Sequence, residues 1–143
     1  MKKTVFWMLS ITWGLPMTMI GAVAAAVLMA FGHKPKKWGY CYYFEIGNDW
    51  GGVELGAFFI VDHQSNIYIR NHEHGHAIQN CYYGFLMPFI VCIPSAVRYW
   101  YRRIRSIMGL GNKANYYDIW FEAQASRWGF ELIEKLGAGG GKQ

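Results

Sequence analysis

The sequence predicts an α+β fold that is mostly helical, and three observations lead there. Residues 5–32 carry no charged side chain, which reads as one long apolar helix. Two aromatic and β-branched stretches, Tyr40–Ile46 and Val53–Val61, flank Gly47-Asn48-Asp49 and Gly51-Gly52, a strand–turn–strand pattern. Two later stretches, 67–81 and 112–135, place apolar residues among polar ones as amphipathic helices do. At 143 residues the chain has the length of one domain.

Taken in order, the 28 residues from Val5 to Gly32 would span about 42 Å as a helix, beyond the ~30 Å hydrocarbon layer of a bilayer. An N-terminal transmembrane helix is expected, with residues 1–38 forming a membrane anchor and its basic flank. Lys2 and Lys3, with Ala24, Ala25, Ala26 and Ala30, also suit a cleaved signal peptide, but the run exceeds the usual apolar core of one, so an uncleaved anchor is expected. Pro16, with Gly14 and Gly21 near it, marks a kink or a packing surface.

Tyr40–Ile46 and Val53–Val61, the latter broken or bulged at Gly56, are expected to form a β-hairpin. After the polar link 62–66, Ser65 or Asn66 can cap a helix running to about Cys81, with Gly84 just past its end. Cys81–Val97 is a second uncharged run, 17 residues long and interrupted by Pro88 and Pro94, marginal for a full span. A helix is predicted over 112–135, weakened locally by Gly129, and residues 137–143 form a Gly-rich flexible tail.

The three cysteines, Cys41, Cys81 and Cys92, form no C-x-x-C pair and are too few for a disulfide framework. The net charge of +5 does not point to nucleic acid. Lys34, Lys36 and Lys37 follow the first apolar run, and Arg98, Arg102, Arg103 and Arg105 follow the second, a placement suited to anionic lipid headgroups.

His72-Glu73-His74-Gly75-His76 carries the chemistry. On a helix, positions i and i+4 share a face, so His72 and His76 can grip one metal ion, and Glu73 lies beside that face as a general base able to activate a water. His74 is rotated about 200° from the ligand face and is expected to be a bystander. A catalytic zinc needs a third protein ligand. The metzincin extension is absent, because Gln79 and Tyr82 stand where its Gly and third His would fall. Among the downstream carboxylates Asp118, Glu122, Glu131 and Glu134, the choice is Glu122, which sits mid-helix among small residues; Asp118, one turn earlier, is an alternative ligand or a support for a histidine N–H.

His72-Glu73-x-x-His76 followed by Glu122-x-x-Ala125 resembles the gluzincin pattern of membrane metallopeptidases of the HtpX and CAAX-prenyl-protease type. A closer likeness, over about residues 50–130, is to small uncharacterised bacterial membrane proteins with H-E-x-G-H-x-x-Q, an apolar segment ending in Ile-Pro-Ser, and a Tyr-Tyr…Glu-x-x-Ala helix. The resemblance implies a minimal zincin-like domain over 39–136 and a place in the bacterial inner membrane. Ser126 stands where the pattern has Asp, which weakens the group expected to orient a zinc-bound histidine.

Three ligands on one ion must share one side of the membrane, so segment 81–97 should be re-entrant or interfacial. The seven basic charges at 34–37 and 98–105 then place the site on the cytoplasmic side. The expected function is a membrane-anchored zinc peptidase: Zn2+ held by His72, His76 and Glu122, Glu73 as general base, and a peptide or protein near the bilayer as substrate. Val53–Val61 is the expected edge strand for pairing with an extended substrate. Tyr116, Tyr117 and Arg127 are candidate oxyanion donors. An alternative from another class is a non-catalytic membrane protein using the same residues as a structural metal site or polar network. Hydrolysis of a non-peptide amide or ester fits the same residues.

Overall fold

The computed structural model describes residues 1–111 and 119–139 and is α+β. Its elements run α1 (Lys3–Ile11), α2 (Leu15–Ala30), β1 (Lys36–Trp38), β2 (Cys41–Glu45), β3 (Gly52–Leu55), β4 (Phe58–Val61), α3 (Ile67–Tyr83), α4 (Ile93–Ile107) and α5 (Trp120–Gly139). Of the expected helix over 112–135, residues 120–135 are helical in α5; residues 112–118, including Asp118, Tyr116 and Tyr117, lie outside the described residues. Gly137 and Gly139, expected in the flexible tail, belong to α5.

The N-terminal run, expected as one helix with a kink or packing surface near Pro16, is interrupted there. The apolar run is two helices bent by 92°, and among the described residues no single helix is long and apolar enough to cross a membrane. The break falls before Pro16, which occupies the first turn of α2, where its missing N–H costs nothing. Neighbouring Gly14 packs so closely on Asn80 of α3 that a Cβ there would lie 2.9 Å from the Asn80 side-chain carbon. In α2, Met17, Gly21 and Ala25, four residues apart, face inward, and Gly21 abuts the Leu55 carbonyl. The segment read as a detached anchor is thus packed onto the rest of the chain.

The expected hairpin is also corrected. The sheet order is β1-β2-β4-β3, with hairpins β1–β2 and β3–β4 and a parallel β2–β4 pair in the middle. Gly56, at φ 74°, turns the chain inside the stretch read as one strand. Of the two halves of that stretch, β3 is therefore an edge strand and β4 is interior. Strand β1, which sequence patterning did not reveal, forms the other edge and lies in the part assigned to the anchor's basic flank. Tyr43, Phe59 and Val61 from the sheet meet Phe6 of α1, Ala77 and Ile78 of α3, and Leu132 of α5 in the main core.

Helix α3 starts where expected: the Asn66 side chain accepts from Ile69 N at 3.1 Å. It ends at Gly84, whose φ is 56°. The chain then passes through a 3₁₀ turn (Gly84–Leu86) and a π-helical turn (Pro88–Cys92) and reverses by 114° into α4. The reversal falls within segment 81–97.

Helices α3 and α5 cross in close contact. A Cβ on Gly75 would collide with the Ala125 backbone, and one on Gly129 with the Asn71 carbonyl. Gly129, read as a local weakness of its helix, is what lets α5 touch α3. Gly75→Ala and Gly129→Ala are each expected to lower the thermal midpoint, because overpacking of about 1–3 kcal/mol outweighs the ~1 kcal/mol gain in helix propensity. Gly137→Ala, in open space on the same helix, is the control and should raise it. A rise at all three positions, measured by thermal unfolding in detergent, would show that the crossing tolerates a wider spacing.

Candidate metal centre

The close crossing places α5 directly beneath the ligand face of α3. His72 and His76 turn their Nε2 atoms toward each other at 3.0 Å. Glu122 Oε2 lies 3.0 Å from His72 Nε2 and 3.2 Å from His76 Nε2. All three side chains are buried, Glu122 completely. The structure thus brings together the three residues chosen from sequence as a group able to hold a metal ion.

The far nitrogens of both rings are occupied. His76 Nδ1 is 2.8 Å from Gln79 Oε1, and the Gln79 amide is oriented by donating from Nε2 to Phe121 O at 2.8 Å and Gln124 Oε1 at 2.9 Å. An amide oxygen only accepts, so His76 Nδ1 carries the proton and its Nε2 is left to the cluster. His72 Nδ1 meets Ser126 Oγ at 2.9 Å. The Ser126 hydroxyl, at the position where the resembled pattern has Asp, can accept the proton of His72 Nδ1 and steady that ring. Ser95 Oγ donates to the remaining oxygen of Glu122 at 2.5 Å.

These separations fit a metal. A tetrahedral ion with bonds of about 2.0–2.1 Å has ligand edges near 3.3 Å, and the three edges here are 3.0, 3.0 and 3.2 Å. Three electron-rich atoms this close require a cation or a proton among them. In the metal-free chain the proton serves. Burial opposes a charge on His76, but the hydrogen bond to Glu122 and the charges of Glu73, Glu122 and Glu54 raise its pKa to about 9. Burial likewise opposes ionisation of Glu122, but its bonds to His72 and His76, aided by Ser95, hold it well below the usual carboxylate range. A metal bound here would displace the His76 proton, so its affinity would weaken as pH falls.

Glu73 is buried next to the pair. Burial raises its pKa; His72 and His76 work against the rise, and Glu122 adds to it. Gly52 of β3 lies so close that a Cβ there would fall 2.6 Å from Glu73 Oε1. Gly52, Glu54, His72, Glu73, His76 and Ser95 are among the residues that line a cavity of about 880 Å³ between β3, α3 and α4.

His74 faces the other way and is structural. It is fully buried, its Nε2 accepts from Tyr40 N at 3.2 Å, and burial lowers its pKa to about 4, so it is neutral at pH 7. Arg127 is exposed on α5. Glu54 was not foreseen, although it is the only charged residue in 53–61. It is buried in the cavity wall; its Oε1 accepts from Gly56 N, and its Oε2 has no hydrogen-bond partner among the described residues. Burial raises its pKa to about 8, against the pull of His76 and Gly56 N–H and with a further push from Glu73.

No family model, curated protein or solved structure matches the chain. The likeness to membrane metallopeptidases therefore rests on the motif residues alone.

Ser126→Ala is expected to weaken metal affinity about 10–100-fold with the fold intact, because it frees one imidazole to rotate; unchanged affinity by competition with a fluorescent chelator would remove Ser126 from the centre. For Glu54 the sign follows from linkage. The native chain holds this proton to about pH 8 and the unfolded chain releases it near 4.5, so stability contributed at low pH is lost as pH rises between the two. The thermal advantage of metal-free Glu54→Gln over wild type should therefore grow from pH 5 to pH 8, and a pH-independent difference would contradict it.

Proposed function

We propose that this chain is a membrane-associated zinc peptidase of gluzincin type, in which His72, His76 and Glu122 hold the metal and Glu73 is the general base. The observation that carries the reading is the convergence of two imidazole Nε2 atoms and one carboxylate oxygen within 3.2 Å, each side chain steadied from behind and next to a buried glutamate. An N₂O donor set with neutral imidazoles suits zinc. A zinc ion in such a site supplies Lewis acidity, lowering the pKa of a coordinated water to about 7 and polarising a carbonyl oxygen.

The rest is the work of the side chains. Burial gives Glu73 a stronger hold on a proton than an exposed carboxylate has, which suits a group that takes a proton from water and returns it to a leaving amine. The bare backbone of Gly52 lets β3 pack directly against Glu73, which places the strand beside the general base. The unpaired edge of β3, Gly52–Leu55, offers backbone hydrogen bonds to an extended peptide without selecting its side chains. Buried, hydrogen-bonded imidazoles keep the ligand atoms aimed before substrate arrives.

Membrane association is supported by the outward faces of α1 and α2, where Met8, Ile11, Met19, Ile20, Val23 and Val27 are exposed. The two helices together are long and apolar enough for a broken span. Basic clusters at 34–37 and 98–105 favour the cytoplasmic side for the site.

The test is zinc content and hydrolysis of an unstructured protein by detergent-purified enzyme. Glu73→Gln should keep stoichiometric zinc and lose turnover by roughly 10²–10⁴-fold, the usual contribution of a general base. His72→Ala and Glu122→Ala should lose the zinc. A Glu73→Gln variant as active as wild type, or a wild type that binds no zinc, would overturn the proposal.

A further inference from the structure

Helix α4 has no buried residue along its 15 positions. Its side chains are sorted around the axis. Ser95, Tyr99, Arg102 and Ser106, at spacings of four, three and four, face the cavity and form its outer wall. On the opposite side Ile93, Val97, Tyr101, Ile104 and Ile107 make a continuous apolar stripe, between 53% and 78% exposed. Trp100 adds to the exposed apolar surface and also reaches the cavity rim. Arg105, which also donates to Gly111 O at 2.8 Å, borders the stripe on one flank, and Arg103, which also reaches the cavity, borders it on the other. Between Glu73 and Asp118 the sequence has no acidic residue, so every charged side chain of α4 is basic.

An apolar stripe of that length, uncovered among the described residues, needs an occupant. A second copy of the same helix would bring arginines against arginines across a two-fold contact. A nucleic acid would take the arginines and leave the isoleucines in water. A lipid surface satisfies both: acyl chains take the stripe, anionic headgroups take the flanking guanidinium groups, and Trp100 and Tyr101 sit at headgroup depth.

We propose that α4 is an interfacial helix that lies on an anionic lipid surface with the 93–107 stripe immersed, so that the cavity it walls opens beside that surface. This deepens the membrane part of the reading above and does not depend on the zinc chemistry. The metal site would then stand one helix thickness from the headgroups, and the substrate would be a peptide segment lying at the bilayer surface.

The test uses the full chain reconstituted in nanodiscs containing lipids with a bromine quencher on the acyl chain. In a Cys92→Ser background, a fluorophore is attached at Ile104→Cys on the stripe, at Ser106→Cys on the cavity face, and at Val23→Cys on the outer face of α2. All are single surface labels that leave the packed core untouched.

The expected result is strong quenching at 104 and little at 106 in phosphatidylglycerol discs. Quenching at 104 should weaken in phosphatidylcholine discs, and in phosphatidylglycerol discs it should weaken with Arg103 and Arg105 changed to Gln, by about fivefold in docking equilibrium per arginine. Quenching at 23 but not at 104 would overturn the α4 inference and leave the N-terminal membrane attachment standing. No quenching at either position would overturn both. Equal quenching at 104 in both lipids would remove the anionic surface as the occupant, and disulfide-linked dimers of the unlabelled Ile104→Cys chain would assign the stripe to a second copy.

Discussion

The contact between α3 and α5 at Gly75, Ala125 and Gly129 is the constraint on which the rest depends. Two helices with ordinary side chains at their crossing stand about 8–10 Å apart, and a bulkier residue at Gly75 or Gly129 would collide with the facing backbone and push Glu122 away from the two imidazoles. Small residues remove the spacer. Glu122 then sits fully buried against His72 and His76, and the carboxylate it carries cannot ionise there without a positive partner. A proton on His76 or a metal ion supplies it. Fold and site therefore share one electrostatic requirement, and the residues that meet it are the ones that give the site its chemistry.

Everything around that crossing holds it in place. Gln79 reaches from α3 to the Phe121 carbonyl and Gln124, Ser126 reaches from α5 to His72, and Tyr83 hydrogen-bonds Gln124 at 2.9 Å. From the other side, the sheet contributes Gly52 over Glu73 and Glu54 in the cavity wall. The N-terminal helices close the back, with Phe6 in the same core as Ala77 and Cys81. A membrane attachment made through these helices is thus built into the packing of the ligand helix.

Local features of the chain were readable from sequence because they are locally encoded. The start and end of α3 follow from one side-chain cap and one positive-φ glycine, and the pairing of His72 with His76 follows from helical geometry alone. Glu122 was identified because few carboxylates lie downstream and only one sits among small residues. The parallel β2–β4 pair, by contrast, joins strands with another strand and two turns between them, and nothing local distinguishes that arrangement from a simple hairpin. The 92° bend after α1 was only half legible: Pro16 marks it, but its angle is set by Gly14 settling on Asn80, a residue in a different helix.

By itself, the sequence determined which side chains could bind a metal, because ligand type and helical spacing are properties of a dozen neighbouring residues. Tertiary structure decided whether they come together and what surrounds them. It set Ser126 against His72, turned Gly129 from a weak point into the contact surface, and placed the unforeseen Glu54 in the cavity. The physical reason is that burial and hydrogen-bond satisfaction belong to pairs of groups distant in the chain, and only the folded packing of α3, α5 and β3 brings such pairs within a few ångströms.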